Sequence, residues 1–131
     1  LELRIISAER AFECLVELKR ADVEEFWALA LGPSKSLISK KMLFRGTVDA
    51  CLAHPRDVFR FACQVNASSI IVAHNHPSED LRPSQEDIAL TQRLIQAGEI
   101  LEIPIIDHLI VTHRYFLSTA KQDWWIETHS S

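Results

Sequence analysis

Apolar positions recur along this chain in blocks that switch between helical and strand periods. Ala8, Phe12, Leu15 and Val16 fall at i, i+4, i+7 and i+8, which predicts a first helix over residues 7–20. Phe26-Trp27-Ala28-Leu29-Ala30-Leu31 is a short continuous apolar run stopped by Gly32-Pro33, the pattern of a buried strand. A second strand is expected over residues 36–44 and a third over 46–52. Pro55 then opens a helix at its favoured first position, with Val58, Phe61, Ala62 and Val65 as the apolar stripe. Residues 69–74 are β-branched and apolar, as in a central strand. A further helix is predicted over residues 84–97, carrying Leu90, Leu94, Ala97 and Leu101 at helical spacing and stopping at Gly98. A long strand over 103–111 and a short edge piece over 115–117 complete the pattern, and Trp124 and Trp125 are expected to rest on the surface of the core. Strands alternating with helices argue for an α/β layered fold, with helices on both faces of the sheet.

The chain has 131 residues, enough for one domain with its own core, and residues 1–131 read as a single domain, its N-terminal helix (1–22) and its tail (119–131) being the least patterned parts. Apolar residues make up 47% and charged residues 24%, which excludes a disordered, collagenous or disulfide-scaffold protein. No apolar run approaches the ~18 residues of a membrane span. No cationic leader with an apolar stretch opens the sequence, so a cytoplasmic protein is expected, and a first residue of Leu1 suggests a piece of a longer chain. Cys14, Cys51 and Cys63 contain no C-x-x-C pair and read as reduced, small core residues. A net charge of −4 argues against a domain that grips phosphate backbones. The local cluster Lys35, Lys40, Lys41 and Arg45 reads as a solvated strand edge.

Chemistry concentrates in His74-Asn75-His76-Pro77-Ser78-Glu79-Asp80-Leu81-Arg82-Pro83-Ser84-Gln85-Glu86-Asp87. Residues two apart on a strand share a face, so His74 and His76 can offer two imidazoles to one point where an apolar strand ends. Asp87 falls in the first turn of the next helix, within reach across the loop. Two imidazoles and a carboxylate suit one zinc ion, with a fourth position left open as in catalytic sites. A blander reading also fits these letters, in which Ser84 caps the helix and Asp87 closes a capping box. An HNH nuclease is excluded because its residues spread over a ββα unit, and a zinc deaminase because both C-x-x-C and H-x-E are missing.

His-x-His, seven residues, Ser, two residues and Asp is the motif of the JAMM metalloproteases, or MPN+ domains. This sequence resembles the bacterial RadC branch of that family. The likeness extends to Phe44-Arg45-Gly46-Thr47, to His54-Pro55-Arg56-Asp57-Val58-Phe59 and to Ile106-Asp107-His108-Leu109-Ile110, and covers residues 24–118. The resemblance implies a JAMM/MPN fold with a central mixed sheet and cytidine-deaminase-like layering. Longer RadC proteins carry an N-terminal helix-hairpin-helix domain, which is not expected within these residues.

It also implies a mechanism and its parts. Zinc held by His74, His76 and Asp87 would activate water for hydrolysis of an amide bond. A glutamate upstream, Glu24 by alignment or Glu25 with the register shifted by one, would act as general base. Ser84 would donate to the oxyanion. Asp107 and His108, at a strand end, either orient a ligand from behind or are structural. One departure stands out: RadC sequences read His-Pro-Ser-Gly-Asp, and here the glycine is Glu79. That residue either strains the loop or implies a different loop shape; it also adds a carboxylate near the metal, as a candidate modulator, unless it is simply solvated. The expected function is a zinc metallopeptidase or isopeptidase acting on a peptide or protein substrate, without membrane or nucleic-acid partners. The alternatives are a metal-binding interaction domain without activity, and the DNA-repair or recombination accessory role attached to the RadC name.

Overall fold

Among the described residues a five-stranded mixed sheet organises the chain, its strands in the spatial order Leu37–Arg45, Glu25–Leu31, Ser69–Asn75, Ile105–Val111 and Phe116–Ser118. The structure is a computed structural model that describes residues 3–46 and 54–125. Strand β1 (Glu25–Leu31) runs antiparallel to both β2 (Leu37–Arg45) and β3 (Ser69–Asn75). β3 is parallel to β4 (Ile105–Val111), and β5 (Phe116–Ser118) returns antiparallel on β4. The parallel pair is joined by helix α4 (Gln85–Leu101), the long crossover that parallel strands require. Helices α1 (Ala8–Glu13) and α2 (Val16–Lys19) precede the sheet, and α3 (Pro55–Gln64) lies between β2 and β3.

Strand alternation divides the core in two. Phe26, Ala28 and Ala30 of β1, with Ile70 and Val72 of β3, meet Val58 and Phe61 of α3 and Leu90 and Leu94 of α4. Leu29, Leu31, Ile71, Ala73, Leu109 and Val111 point the other way, onto Ala11, Leu15 and Leu18 of the N-terminal segment. Both faces of β3 are therefore covered, which is why every one of its residues is buried and why its sequence reads as an unbroken apolar run. The α/β fold with helices on both faces stands as expected.

Several local expectations need correction. The first helix is broken at Leu15, whose φ of −105° and ψ of 42° leave the helical region. Ala11, Leu15 and Leu18 nevertheless face the sheet, at the i, i+4 and i+7 spacing of one helix face, whereas Val16, expected in the stripe, is 42% exposed. Gly98 does not stop α4. The helix continues to Leu101 and ends on Glu102, left-handed at φ 59°. From there the chain folds back, and the Ile103 N–H donates to the Gly98 carbonyl at 2.9 Å. A Cβ at Gly98 would lie 2.6 Å from the Ile103 oxygen, so glycine is needed for clearance rather than for termination. Cys63 is exposed and Cys14 only partly buried, so neither is a core residue. Lys40 is not simply solvated: its ammonium donates to the Cys14 carbonyl at 2.9 Å and to Glu17 at 2.8 Å. Trp125 does pack on the α3/α4 side of the core. The expected third strand over 46–52, and Cys51, fall outside the described residues except for Gly46.

The outer edge of β2 is unpaired over most of its length among the described residues. Only its start is covered, where the Leu37 N–H donates to the Leu3 carbonyl and Arg4 bridges to Ser36. Its pairing with β1 slips in register twice.

Candidate metal centre

The carboxyl end of β3 carries His74 and His76 into one site. His74 lies inside the strand, opposite Phe26 of β1. His76 is the first residue beyond it, and its N–H donates to Val111 of β4 at 2.9 Å. The turn that follows is tight, with the Glu79 N–H donating to the His76 carbonyl at 2.9 Å. The chain then runs to Ser84, which caps α4. The Ser84 hydroxyl oxygen accepts from the Asp87 N–H at 3.0 Å, and the Asp87 carboxylate accepts from the Ser84 N–H at 2.8 Å. Both sequence readings of Ser84 and Asp87 thus meet in one arrangement. The capping box exists, and it aims the other Asp87 contacts at the histidines.

The donor atoms converge closely. His74 Nε2 and His76 Nε2 are 2.9 Å apart. Asp87 Oδ1 lies 3.2 Å from His74 Nε2, and Asp87 Oδ2 lies 3.2 Å from His76 Nε2. Zinc bonds of about 2.0–2.1 Å at the tetrahedral angle separate neighbouring ligand atoms by about 3.3–3.4 Å. The observed triangle needs to open by only a few tenths of an ångström to accept the ion. A carboxylate oxygen of Glu24 lies within 4.8 Å of the two imidazole donors, so a second carboxylate reaches the pair from the segment before β1.

Hydrogen bonds behind the rings fix their tautomers. Thr91 Oγ1 donates its one hydrogen to the Asp87 carbonyl at 2.7 Å, so toward His108 Nδ1, at 2.5 Å, it accepts. His108 Nδ1 therefore carries the proton and His108 Nε2 accepts from His74 Nδ1 at 2.8 Å. That leaves the His74 Nε2 lone pair facing the site. His76 Nδ1 faces the Asp80 carbonyl at 2.6 Å, which only accepts, so the neutral ring presents the Nε2 lone pair as well. Two lone pairs at this separation beside a carboxylate call for a cation, and the donor set fits a metal of zinc type.

In the metal-free site a proton stands in for the cation, and an imidazole Nε2–H then faces Asp87 in place of a lone pair. Burial holds His108 neutral, with its pKa lowered to about 3. Burial also opposes the charged form of His76, but hydrogen bonds to Asp87 and to the Asp80 carbonyl outweigh it and raise the pKa. Burial alone would raise Asp87; hydrogen bonds from His74 and His76 overcome it and hold the carboxyl well below the usual range. Asp80, whose carbonyl fixes His76, is itself clasped by Arg82 at 2.8–3.2 Å, which lowers its pKa to about 2.

The remaining sequence candidates separate clearly. Glu24, not Glu25, faces the histidines. Glu25 is committed to the Trp27 indole at 2.9 Å and to Arg45 at 3.2 Å. His108 backs His74 directly. Asp107 does not touch either histidine of the site. It accepts from the His108 N–H, the Ala120 N–H and the Ser118 hydroxyl, tying β4 to the chain after β5, and burial raises its pKa. Glu79 has φ 66°, the left-handed backbone that the family glycine would adopt freely. It lines a cleft with Thr112, His113, Arg114 and Tyr115, not the cleft that Glu24 and His76 share. That second cleft, of about 540 Å³, runs between Asp22, Val23 and Glu24 on one wall and His76, Pro77 and Ser78 on the other.

Two residues of the site escaped the sequence reading. Thr91, one turn after Asp87 on the same helix face, completes the relay to His74; only that spacing could have pointed to it. Asn75, between the histidines, faces away from them and is 3% exposed. It bonds to the segment that carries Glu24, a long-range partner no local pattern displays.

Comparison with known proteins gives a consistent picture. The family model for the RadC-like JAB domain matches residues 5–124. A UPF0758 protein of Shouchella clausii is 43% identical over 122 residues, covering 92% of this chain and 53% of its own length. One from Thermotoga maritima is 42% identical over 119 residues, covering 91% and 54%. One from Finegoldia magna is 43% identical over 105 residues, covering 80% and 47%. The chain spans about half the length of the curated relatives it matches. Among the described residues no helix is long and apolar enough to cross a membrane.

Proposed function

This chain belongs to the RadC-like JAB domain family, and from that premise we propose that it is a zinc-dependent peptidase or isopeptidase. The observation that carries the reading is the meeting of His74 Nε2, His76 Nε2 and the Asp87 carboxylate within 2.9–3.2 Å, with the Glu24 carboxylate alongside. His74, His76 and Asp87 would hold the ion. When bound, zinc supplies a Lewis acid that polarises an amide carbonyl and eases deprotonation of water.

The chain's own residues do the rest. Glu24 takes the proton of the attacking water and returns it to the leaving amine nitrogen, so the amide C–N bond breaks with the proton delivered where it is needed. The Ser84 hydroxyl oxygen is occupied by the Asp87 N–H, while its hydrogen remains able to donate to the oxyanion that develops on the carbonyl. The cleft between residues 22–24 and 76–78 leads an extended peptide or protein segment to these groups.

The test is metal analysis and hydrolysis of internally quenched peptides and of an isopeptide-linked pair, with His76→Ala and Glu24→Gln beside the parent. The parent and Glu24→Gln should hold about one zinc each, and His76→Ala should lose most of it, since removing a ligand opens a further coordination position. Both variants should lose turnover. Full zinc content in His76→Ala, or parental turnover in Glu24→Gln, overturns the reading. A parent that binds zinc but cleaves nothing points instead to a metal-holding interaction domain.

A further inference from the structure

We infer that Asn75 is the positioning residue for Glu24, an inference whose catalytic consequence rests on the peptidase reading above. The antiparallel ladder between β1 and β3 has Phe26 and His74 as its last pair at this end. Continued in register, it would set Glu24 opposite His76. It does not continue. The Glu25 N–H meets the side chain of Asn75, and the two chains part to form the cleft.

Asn75 spans the gap with its side chain. Its Oδ1 accepts from the Glu25 N–H at 2.7 Å, and its Nδ2 donates to the Val23 carbonyl at 2.9 Å and to the Ala21 carbonyl at 3.4 Å. The Val23 carbonyl and the Glu25 N–H belong to the two peptide units on either side of Glu24. One buried amide therefore fixes both planes that set the direction of the Glu24 side chain. The Glu24 carbonyl accepts from the Gly46 N–H at 3.1 Å, which closes the remaining freedom of that backbone.

The chemistry demands this residue type. Only a side-chain amide offers an acceptor for Glu25 and donors for Val23 and Ala21 at once, copying the missing backbone rung. Aspartate, the same size, keeps the acceptor, loses both donors, and sets a carboxylate against two carbonyl oxygens. Asn75 faces away from His74 and His76, so it acts through Glu24 and not through the metal ligands.

The experiment compares Asn75→Asp and Asn75→Ala, each alone and combined with Glu24→Gln, in zinc-loaded protein. Three readouts are taken: zinc content, amide exchange at Glu25, and turnover of internally quenched peptides. The expected result is parental zinc content and turnover lower by about ten- to a hundredfold in both variants, with protection at the Glu25 N–H lost in Asn75→Ala, which alone removes its acceptor. On the Glu24→Gln background Asn75→Asp should cause no further loss, because the only route of its effect is already removed. If Asn75→Ala fails to fold, the isosteric aspartate carries the comparison. Unchanged protection at Glu25 in Asn75→Ala, or a turnover loss in either variant that adds to that of Glu24→Gln, overturns the inference. Should the parent cleave nothing, the peptidase reading fails, and the exchange at Glu25 still decides whether Asn75 holds this segment.

Discussion

Thr91→Val tests the relay behind His74 at a single atom. Thr91 is 0% and His108 1% exposed, so neither can exchange its partner for water. Valine keeps the shape and deletes the hydroxyl, leaving His108 Nδ1–H without its acceptor. An orphaned buried donor costs about 1–3 kcal/mol, which should appear as lower stability of the metal-free protein in urea unfolding. The second effect is on the ion. Without Thr91 to accept, nothing selects the His108 tautomer that leaves Nε2 as acceptor, and the His74 Nε2 lone pair is no longer guaranteed to face the site. Losing such a supporting partner lowers metal affinity by about 10–100-fold, or about 1.4–2.7 kcal/mol. Zinc affinity is read by competition with a chromophoric chelator. Thr91→Ser separates packing from hydrogen bonding: it loses a methyl group worth about 0.8 kcal/mol but keeps the hydroxyl, so stability falls while zinc affinity holds. Parental zinc affinity in Thr91→Val would refute the relay.

Three further outcomes are expected. Glu79→Gly should raise stability by about 0.5–1 kcal/mol, the relief of a left-handed non-glycine residue exceeding the entropy glycine adds to the unfolded chain, with zinc content unchanged; thermal unfolding below the parent's would count against it. Gly98→Ala should destabilise by about 1–3 kcal/mol despite alanine's better helix propensity, because its Cβ would sit 2.6 Å from the Ile103 oxygen, and an equal or higher melting temperature would disprove the clearance role. His108, with its pKa lowered from 6.5 to about 3, stays neutral in the fold while the unfolded chain takes up a proton. Its contribution to stability is therefore complete above pH 6.5 and declines as pH falls toward 3, by up to about 1.4 kcal/mol per pH unit. His76 acts in the opposite sense, so the measurement is the difference in slope between metal-free parent and His108→Gln; identical slopes would rule the term out.

The sequence displayed most of the architecture because periodicity and burial coincide. The β3 run and the Leu90, Leu94 stripe of α4 are apolar where the core needs them, and the α/β order follows. It misjudged elements where local geometry departs from pattern, as when Leu15 leaves helical geometry and Val16 turns to solvent. Gly98 misled because a glycine required for clearance has the same letter as one that ends a helix. At the site, His74, His76 and Asp87 were legible because strand and helix-cap geometry are local. The choice between Glu24 and Glu25 was not, since it depends on Trp27 and Arg45 engaging the second of them. Asn75 and His108 owe their roles to partners 52 and 34 residues away in the chain, and no window of sequence contains both ends of such a bond.

The open flank of β2 has a consequence for association between copies. A nine-residue strand whose outer edge is mostly unpaired among the described residues is a template on which another chain could extend the sheet. Here the two slips of register against β1 bend the strand, and Leu3 to Ile5 occupy its first hydrogen-bonding positions. Lys40 and Arg45 along the same stretch are engaged by Glu17 and Glu25. A second copy approaching edge to edge would meet a curved ladder and a blocked end. Among the described residues the longest strand thus lies at an edge of the sheet, and its irregularity disfavours extension of the sheet from there.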